Sequence, residues 1–452
     1  MSVSTDQSNP RRTDDTASAA ENLSAELTVA DIRDAVGRIS EVVERTPLQL
    51  CERLSAQTGA NVYLKREDLQ RVRSYKIRGA YNVMAQLTES ERAAGVVAAS
   101  AGNHAQGVAY ACRAMQISGR IYVPTRTPKQ KRDRIRWHGG DFVELIAVGD
   151  TYDAAAAAAQ ADVLQTGATW IHAFDDPRTV AGQGTIAAEI VDQLGGSPDL
   201  LVAPVGGGGC LAGMSVYMRG LSDDVRIVGV EPSGARSLAA ALEAGEPVTL
   251  DEIDPFVDGA AVARIGGLGY RVMSGLGAQV GSGRVSTAAP TTTVITHADE
   301  GAVCSAMLEL YQNEGIIAEP AGALATAALE DLDIEPGSTV VLLLSGGNND
   351  VSRYGEVIER SLVHRGLKHY FLVAFPQEPG ALRRFLDEVL GPDDDVTLFE
   401  YVKRNNRETG EALVGIELGD QGDLDPLLDR MAHSRLDCER LEPGSPAYRY
   451  LI

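Results

Sequence analysis

Residues Leu200–Cys210 read LLVAPVGGGGC, an apolar run followed directly by four glycines and a cysteine. The run is apolar on both faces, which is typical of a strand buried inside a parallel sheet. Four glycines let several backbone N–H groups converge at the start of the helix that follows, and such a helix N-terminus binds an anion. The loop lacks both the lysine of a P-loop and the spacing of a dinucleotide fingerprint, so it favours a single phosphate monoester.

Short β-branched runs alternate with helical stretches on both sides of that motif, between about residues 28 and 360. This order predicts an α/β fold in which helices cover an open sheet. The predicted strands are Val62–Leu64, Gly95–Ala99, Arg120–Val123, Phe142–Leu145, Leu200–Val205, Arg226–Val230 and Thr339–Leu344. The predicted helices are Thr28–Glu44, Lys76–Leu87, Lys129–His138 and Tyr152–Gln165.

The pattern changes after His364, where residues 366–452 follow a β-α-β-β-α order that predicts a small α+β module of ferredoxin-like type. Its predicted elements are strands Lys368–Phe375, Val396–Lys403 and Glu411–Leu418, helices Ala381–Val389 and Leu424–His433, and a last strand Tyr448–Ile452. The predicted domains are therefore residues 28–365 and 366–452. Residues 1–27 are rich in Ser, Thr, Asp and Ala, and this composition predicts a disordered tail.

Charge and cysteine content narrow the class of protein. With 41 basic and 63 acidic residues the net charge is −22, which disfavours nucleic acid or an anionic membrane as a main partner. Five scattered cysteines fit a reducing cytosol, and the sequence has no cysteine or histidine spacing typical of a zinc site. No apolar run reaches the roughly eighteen residues of a membrane helix. A soluble cytoplasmic protein without a metal is predicted.

Three further motifs bear on chemistry. Lys76, in SYKIRGA, lies in the first turn of a predicted helix, where the helix dipole favours a free amine, although an isolated lysine of this kind is more often an ordinary surface residue. The turn SAGNHAQG (Ser100–Gly107) follows a predicted strand and suits a carboxylate, although an ordinary capped turn explains it too. Ser345, in SGGN, follows a buried strand, at the edge where ligands gather. Together with the glycine loop, these motifs point to pyridoxal phosphate.

Five ordered motifs carry a resemblance to a known family: SYKIRGA, SAGNHAQG, PVGGGG, EPAGA (Glu319–Ala323) and SGGN. They resemble the fold-type II pyridoxal phosphate enzymes, a tryptophan synthase β-like class whose catalytic domain has two open-sheet subdomains. Within that class they are similar to threonine dehydratases over residues 28–365. Residues 366–452 resemble the single ACT-like regulatory domain of biosynthetic threonine dehydratases.

The resemblance implies roles for the matching residues. Lys76 is implied as the Schiff-base lysine and the catalytic residue. Asn103 is implied as the partner of the cofactor's 3′-oxygen, and Ser345 as the hydroxyl near its pyridine nitrogen. The phosphate cradle is implied at Gly206, Gly207, Gly208, Gly209 and Cys210. The site of the substrate carboxylate is implied at Ser100, Ala101, Gly102 and His104.

The activity implied by the resemblance is deamination of L-threonine to 2-oxobutanoate and ammonia, the first step of isoleucine synthesis. Isoleucine is the expected inhibitor through the ACT-like domain, valine is a candidate second effector, and a homotetramer is expected. Racemases of this class have a serine at the position of Ala101, whose methyl group has no transferable proton, so racemisation is disfavoured. Some relatives bind a cation through a second acidic ligand at the position of Ser237, so no cation is expected here.

Two alternatives remain at this point. The first is an L-serine or broad hydroxy-amino-acid dehydratase, which relative kcat/KM values would separate, since one methyl group is worth only about 1–3 kcal/mol. The second is a non-catalytic amino-acid sensor. The intact Lys76 argues against the sensor, which has no need of an imine-forming amine.

Overall fold

The structure is a computed structural model that describes residues 27–281, 284–286, 293–401, 408–442 and 445–449. These residues form two compact units. The first contains the described residues of Met1–Asp299 and Ile317–Asn349, and the second those of Glu300–Ile316 and Asp350–Ile452. Of the predicted tail, residues 1–26 lie outside the described residues, while Leu27 is buried in the core of the first unit.

The first unit is built from alternating strands and helices. Its helices are α1 Val29–Ile39, α2 Glu52–Thr58, α3 Lys76–Ala85, α4 Glu89–Ala94, α5 Asn103–Met115, α6 Lys129–Gly139, α7 Tyr152–Thr166, α8 Pro177–Leu194, α9 Gly209–Arg219, α10 Ser237–Ala244, α11 Gly267–Gly275 and α13 Pro320–Ala327. Its strands are β1 Leu48–Leu50, β2 Asn61–Arg66, β3 Val96–Ala99, β4 Gly119–Val123, β5 Val143–Ala147, β6 Thr169–Trp170, β7 Leu200–Pro204, β8 Arg226–Pro232, β9 Gln279–Val280, β10 Val285–Ser286, β11 Thr293–Ala298, β12 Leu332–Asp333 and β13 Thr339–Leu344.

A seven-stranded sheet in the order β1-β2-β13-β7-β8-β11-β9 forms the centre of the first unit. All its pairs are parallel except β1 with β2. Strands β7 and β8 are buried along their whole length; β7 is entirely apolar, and β8 is apolar apart from Arg226 and Glu231. Residues of α1, α8 and α9 share one core cluster with this sheet. The sheet therefore brings the carboxyl ends of β7 and β13 side by side.

A second parallel sheet, in the order β5-β4-β3-β6, completes the α/β architecture of the first unit. Helices α3 and α5 contribute side chains to its core. The two open sheets confirm the predicted α/β class. The structure also contains strands that the sequence pattern did not reveal, among them the two-residue strand β6 and the edge strand β1.

The second unit contains an antiparallel sheet. Its helices are α12 Glu300–Glu314, α14 Tyr354–His364, α15 Ala381–Glu388, α16 Leu424–His433 and α17 Pro446–Arg449, and its strands are β14 Lys368–Pro376, β15 Asp395–Tyr401, β16 Thr409–Glu417 and β17 Asp437–Arg440. The strand order is β15-β16-β14-β17, and the helices α15 and α16 share a core with the sheet through Phe385 and Leu427. This arrangement confirms the predicted α+β module.

The predicted last strand at Tyr448–Ile452 is wrong. Tyr448 lies in the short helix α17, whose first residue is Pro446, and residues 450–452 lie outside the described residues. Proline fits the first turn of a helix because its missing N–H has no helical partner there. The Tyr448 ring packs edge-on against Tyr370, with 5.8 Å between the centroids, and β17 provides the fourth strand instead. Among the described residues, the helices are too short or too polar to cross a membrane.

Candidate active site

Lys76 is the first residue of α3, and its surroundings favour a free amine. Its Nζ donates to the carbonyl oxygen of Ala173 at 3.2 Å, and burial lowers the pKa of Lys76 below its ordinary value. The preceding residue, Tyr75, donates its backbone N–H to the carbonyl of Ser345 at 3.2 Å. This backbone hydrogen bond places Lys76, one residue beyond Tyr75, near Ser345, although the two residues were predicted from separate motifs.

The four glycines connect β7 to α9, and two of them are packed so closely that no side chain fits. A Cβ atom on Gly207 would lie 2.1 Å from the ring of Phe174, and one on Gly209 would lie 2.5 Å from the Phe174 carbonyl oxygen. Gly208 has φ +83°, a conformation that favours glycine. Because Gly208 is the N-cap of α9 and has no side chain to accept hydrogen bonds, the first-turn N–H groups remain donors for an anion.

Cys210 follows the glycines and is buried. Burial raises the pKa of its thiol to about 12, so that the sulfur is uncharged at neutral pH. The side chain of Tyr75 lies near enough to Cys210 that burial first and then Cys210 raise the pKa of the Tyr75 hydroxyl. The residue before Lys76 thus contacts the helix that carries the glycine loop.

Asn103 begins α5 and is held by two other polar side chains. Its Nδ2 donates to Oε1 of Glu319 at 2.6 Å, and its Oδ1 accepts from Nδ2 of Asn348 at 2.8 Å. Asn348 Nδ2 also donates to the carbonyl of Val72 at 2.7 Å, which determines the orientation of both amides. One of the two Asn103 N–H groups is thereby left for a ligand. We call this chain of Asn348, Asn103 and Glu319 the amide chain.

Glu319 is the functional residue that the sequence reasoning missed. It precedes α13 and is almost completely buried. Burial raises the pKa of Glu319 to about 7, the charge of Asp258 raises it further, and the hydrogen bond from Asn103 opposes the rise. The motif EPAGA was available as a signal, because a glutamate inside an apolar stretch of small residues needs a partner when it is buried.

Ser345 follows the last residue of β13 and is buried. Its Oγ donates to the carbonyl oxygen of Ala321 at 3.2 Å. Gly322 allows the close approach of these two segments, since a Cβ there would lie 2.3 Å from the carbonyl oxygen of Gly346. Ser345 and the glycine loop lie at the ends of neighbouring parallel strands, at the sheet edge where ligands of open α/β sheets bind.

The turn Ser100–His104 connects β3 to α5. Gly102 is the N-cap of α5 and donates its N–H to Oγ of Ser100 at 3.2 Å, while Ala101 contributes only a methyl group. His104 is buried, and its Nε2 lies 2.8 Å from the carbonyl oxygen of Ile171. Burial, together with the charge of the nearby Lys76, lowers the pKa of His104 to about 3. The imidazole is therefore neutral and adds no charge to the site.

Glu231 and Ser237 are the positions at which the resemblance raised the question of a cation. The two oxygens of the Glu231 carboxylate accept N–H groups of Leu238 and Ala239 at 2.7 and 3.0 Å, so this side chain is a cap for α10. Within the ranges that the structure describes, no group of three or more His, Cys, Asp or Glu side chains is placed to hold a metal ion.

These residues fit pyridoxal phosphate by their chemistry. Lys76 supplies an amine for an imine bond, the glycine loop supplies backbone N–H groups for one phosphate, and Asn103 and Ser345 supply neutral polar groups for ring atoms. A Cβ atom would clash with Phe174 at Gly207 and at Gly209, so these two positions offer a ligand only their backbone groups.

Two families match the chain. A family of pyridoxal-phosphate dependent enzymes matches residues 39–346, and the C-terminal regulatory domain of threonine dehydratase matches residues 359–451. The L-threonine dehydratase biosynthetic IlvA of Mycobacterium bovis is 66% identical over 94% of this chain and 96% of its own length. The protein of the same name from Corynebacterium glutamicum is 60% identical over 96% of this chain and 97% of its own.

Solved structures agree with these matches. The processed form of threonine deaminase isoform 2 from Solanum lycopersicum superimposes with a TM-score of 0.67 at 35% identity, covering 76% of this chain and 89% of that one. Since the matches extend over both the catalytic and the regulatory regions, the chain belongs to the pyridoxal-phosphate-dependent threonine dehydratases that carry a C-terminal regulatory domain.

Proposed function

We propose that this chain deaminates L-threonine to 2-oxobutanoate and ammonia. The observation that carries the proposal is the half-buried Lys76 amine, held at the carbonyl of Ala173 and joined through Tyr75 to both Ser345 and Cys210. The high identity to biosynthetic L-threonine dehydratases over almost the whole chain supports this substrate.

Bound pyridoxal phosphate supplies an electron sink for the charge that develops at the substrate's α-carbon. Lys76 would bond the cofactor at rest and remove the α-proton during turnover. Its lowered pKa serves the second task, because only the free amine accepts a proton.

Asn103 and Ser345 would orient the ring. The amide chain presents one Asn103 N–H as a donor toward the 3′-oxygen. Ser345 is a neutral hydroxyl, and such a partner leaves a pyridine nitrogen unprotonated, which favours prompt elimination over transamination. Gly206, Gly207, Gly208, Gly209 and Cys210 would hold the phosphate at the N-terminus of α9.

The substrate carboxylate would bind at the turn of Ser100, Ala101, Gly102 and His104. Gly102 opens the first turn of α5 to an anion, and the Ser100 hydroxyl is a second polar group at this place. His104 would give shape to the pocket, since its ring is neutral. Ala101 has no proton to deliver to the α-carbon, which supports elimination without racemisation.

Residues 28–365 would form the catalytic domain and residues 366–452 an ACT-like regulatory domain that isoleucine occupies to inhibit the enzyme. The match of residues 359–451 to the regulatory domain of threonine dehydratase supports the second assignment. A cytoplasmic homotetramer in isoleucine synthesis, with valine as a candidate second effector, completes the proposal. Allosteric inhibition requires that isoleucine bind one state of the enzyme more tightly than the other.

The test is 2-oxobutanoate production by the purified holoenzyme from threonine and from serine, with and without isoleucine. We expect threonine to have the higher kcat/KM, isoleucine to inhibit, and Lys76→Ala to lower kcat by at least about 10³-fold. His138→Leu, which changes another buried side chain of the first unit, is the control. Equal activity in the Lys76→Ala variant would exclude the assigned base, and a preference for serine would favour the alternative dehydratase.

A further inference from the structure

The turn His172–Asp175 lies against two parts of the candidate cofactor pocket, Lys76 and the glycine loop, and against the start of α11. The Ala173 carbonyl accepts the Lys76 amine at 3.2 Å. The Phe174 ring lies so close to Gly207 that a Cβ there would be 2.1 Å away. The Asp175 carboxylate accepts the N–H groups of Gly267 and Leu268, at 3.0 and 2.8 Å, and so caps α11. The conformation of this turn therefore determines how the lysine and the glycine loop face each other.

The side chain of His172 stabilises the turn by hydrogen bonds to its backbone. Nδ1 of His172 accepts the backbone N–H of Phe174 at 3.2 Å and that of Asp175 at 2.8 Å. The imidazole also packs edge-on against the Phe174 ring, with 4.8 Å between centroids and an angle of 86° between the planes. The backbone of His172 is fixed in turn by α8, since Thr179 Oγ1 donates to its carbonyl at 3.0 Å.

We propose that His172, as a neutral imidazole, is a positioning residue of the cofactor pocket: it folds the turn His172–Asp175 and thereby sets the distance between Lys76 and the glycine loop. The inference rests on the proposed function only in assigning pyridoxal phosphate to this pocket. His172 reaches the pocket through Ala173 and Phe174 and is not itself a catalytic residue.

The neutral state of the ring follows from the geometry. A nitrogen that accepts two N–H groups needs its lone pair, and a proton on Nδ1 would point an N–H at two donors. The charged and titratable groups that face the ring are Lys76 on α3, His104 on α5, and Asp175 and Asp176 on the turn's own segment. Burial lowers the pKa of His172, Lys76 lowers it further, and the two aspartates oppose the fall.

Protonation of His172 destabilises the folded turn His172–Asp175, because the protonated ring cannot accept the two N–H groups. Because the folded pKa of His172 is below its ordinary value of 6.5, the folded turn is fully stable above that pH. Its stability falls as the pH drops below 6.5 toward the lower folded pKa. Affinity for pyridoxal phosphate should therefore have a component that weakens in mild acid and that depends on His172.

Two variants of the full-length chain distinguish the hydrogen-bond acceptor of His172 from the volume of its side chain. His172→Asn keeps an oxygen acceptor near the place of Nδ1 but cannot titrate, whereas His172→Leu keeps a similar volume and removes the acceptor. The measurements are the dissociation constant of pyridoxal phosphate between pH 5.5 and 8 and amide hydrogen exchange in the peptide that covers the turn. His138→Leu removes a different imidazole of the first unit, the buried one on α6, and is the matched control.

At pH 7.5 we expect His172→Leu to raise the dissociation constant at least about tenfold and to speed exchange at Phe174 and Asp175, since both backbone N–H groups lose their acceptor. His172→Asn should stay within about threefold of the wild type and should lose affinity less steeply than the wild type below pH 6.5. The cofactor's own phosphate titrates equally in both proteins. Unchanged affinity in His172→Leu, equal damage in His172→Asn, or identical pH profiles for wild type and His172→Asn would each overturn the inference.

Failure of the proposed function gives a different result. Cofactor affinity and hydrogen exchange are measured without turnover. If affinity depends on His172 as described but threonine is not deaminated, the substrate assignment fails and the positioning role of His172 stands.

Discussion

Glu67 and Glu319 are two buried carboxylates in the same compact unit, and their surroundings give them different charge states at neutral pH. Glu67 accepts two N–H groups from Arg78, each at 2.8 Å, and the hydroxyl of Thr46 at 2.6 Å. Glu319 accepts an uncharged amide N–H from Asn103 at 2.6 Å. Both side chains are almost completely excluded from solvent, so burial cannot explain the difference.

The partners decide the ionisation. Burial by itself would raise the pKa of Glu67, but the charges of Arg78 and Lys65 outweigh it and lower the pKa. Burial raises the pKa of Glu319 to about 7, and Asp258 adds to the rise. A cation in direct contact fixes the negative charge, whereas an amide leaves the carboxyl group close to its titration point at physiological pH.

The surroundings of Glu67 and of Glu319 therefore have different roles in the candidate site. Lys65, Glu67, Arg78 and Glu189 form a buried charge cluster in which Arg78 bonds both carboxylates and Lys65 bonds Glu189 at 2.6 Å. Arg78 belongs to α3, two residues beyond Lys76, so the cluster anchors the helix that carries the lysine. The amide chain instead holds Asn103 between Asn348 and Glu319, of which only Glu319 can change protonation.

The largest expected effect comes from breaking the charge cluster. Arg78→Met leaves Glu67 and Glu189 without their shared cation, so the free energy of unfolding should fall by about 3–5 kcal/mol. Urea denaturation of the holoenzyme at pH 7.5 measures it. The matched control is Arg45→Met, which removes an exposed ion pair with Asp192 and should cost less than about 1 kcal/mol. Equal losses in the two variants would show that the cluster is no more important than a surface pair.

A smaller effect is expected when Glu67 becomes neutral. Glu67→Gln keeps the shape but removes the charge that Arg78 binds, and should lower the free energy of unfolding at pH 7.5 by about 2–3 kcal/mol. Because the folded pKa of Glu67 is lowered, its contribution is present above the ordinary value of 4.5 and lost as the pH falls through the folded pKa. The deficit should therefore shrink in acid, and a deficit that is independent of pH would contradict the assigned charge.

The same substitution at Glu319 should raise the free energy of unfolding instead of lowering it. Its pKa is about 7 in the fold and 4.5 ordinarily, so ionisation costs up to about 3 kcal/mol once the pH exceeds 7. Since Gln is an imperfect replacement, the free energy of unfolding of Glu319→Gln should exceed that of the wild type by only about 1–2 kcal/mol at pH 8. At pH 5, where Glu319 is protonated, we expect no gain. Destabilisation at pH 8 would mean that the ionised carboxylate is needed by its neighbours.

The local pattern was enough to predict most of the fold. Strand β13 has the predicted bounds, and β7 and β8 differ from theirs by at most two residues, because short and largely apolar runs have few other ways to be buried. Helix α1 ends at Ile39 instead of the predicted Glu44. Helix ends depend on capping and on what the next segment packs against, which periodicity does not contain.

The local sequence was enough to predict the class of the protein: a strand, four glycines and a helix, with a lysine at another helix start, indicate a phosphate cradle and an imine-forming amine through local backbone chemistry. Which distant groups meet depends on the folded chain, since Asn103 and Glu319 are 216 residues apart in sequence and Lys76 and Ala173 are 97 apart. A buried polar group requires a partner but does not say which one. The charge of Glu319 and the acceptor role of His172 follow from packing, because burial and the choice of partner set a pKa.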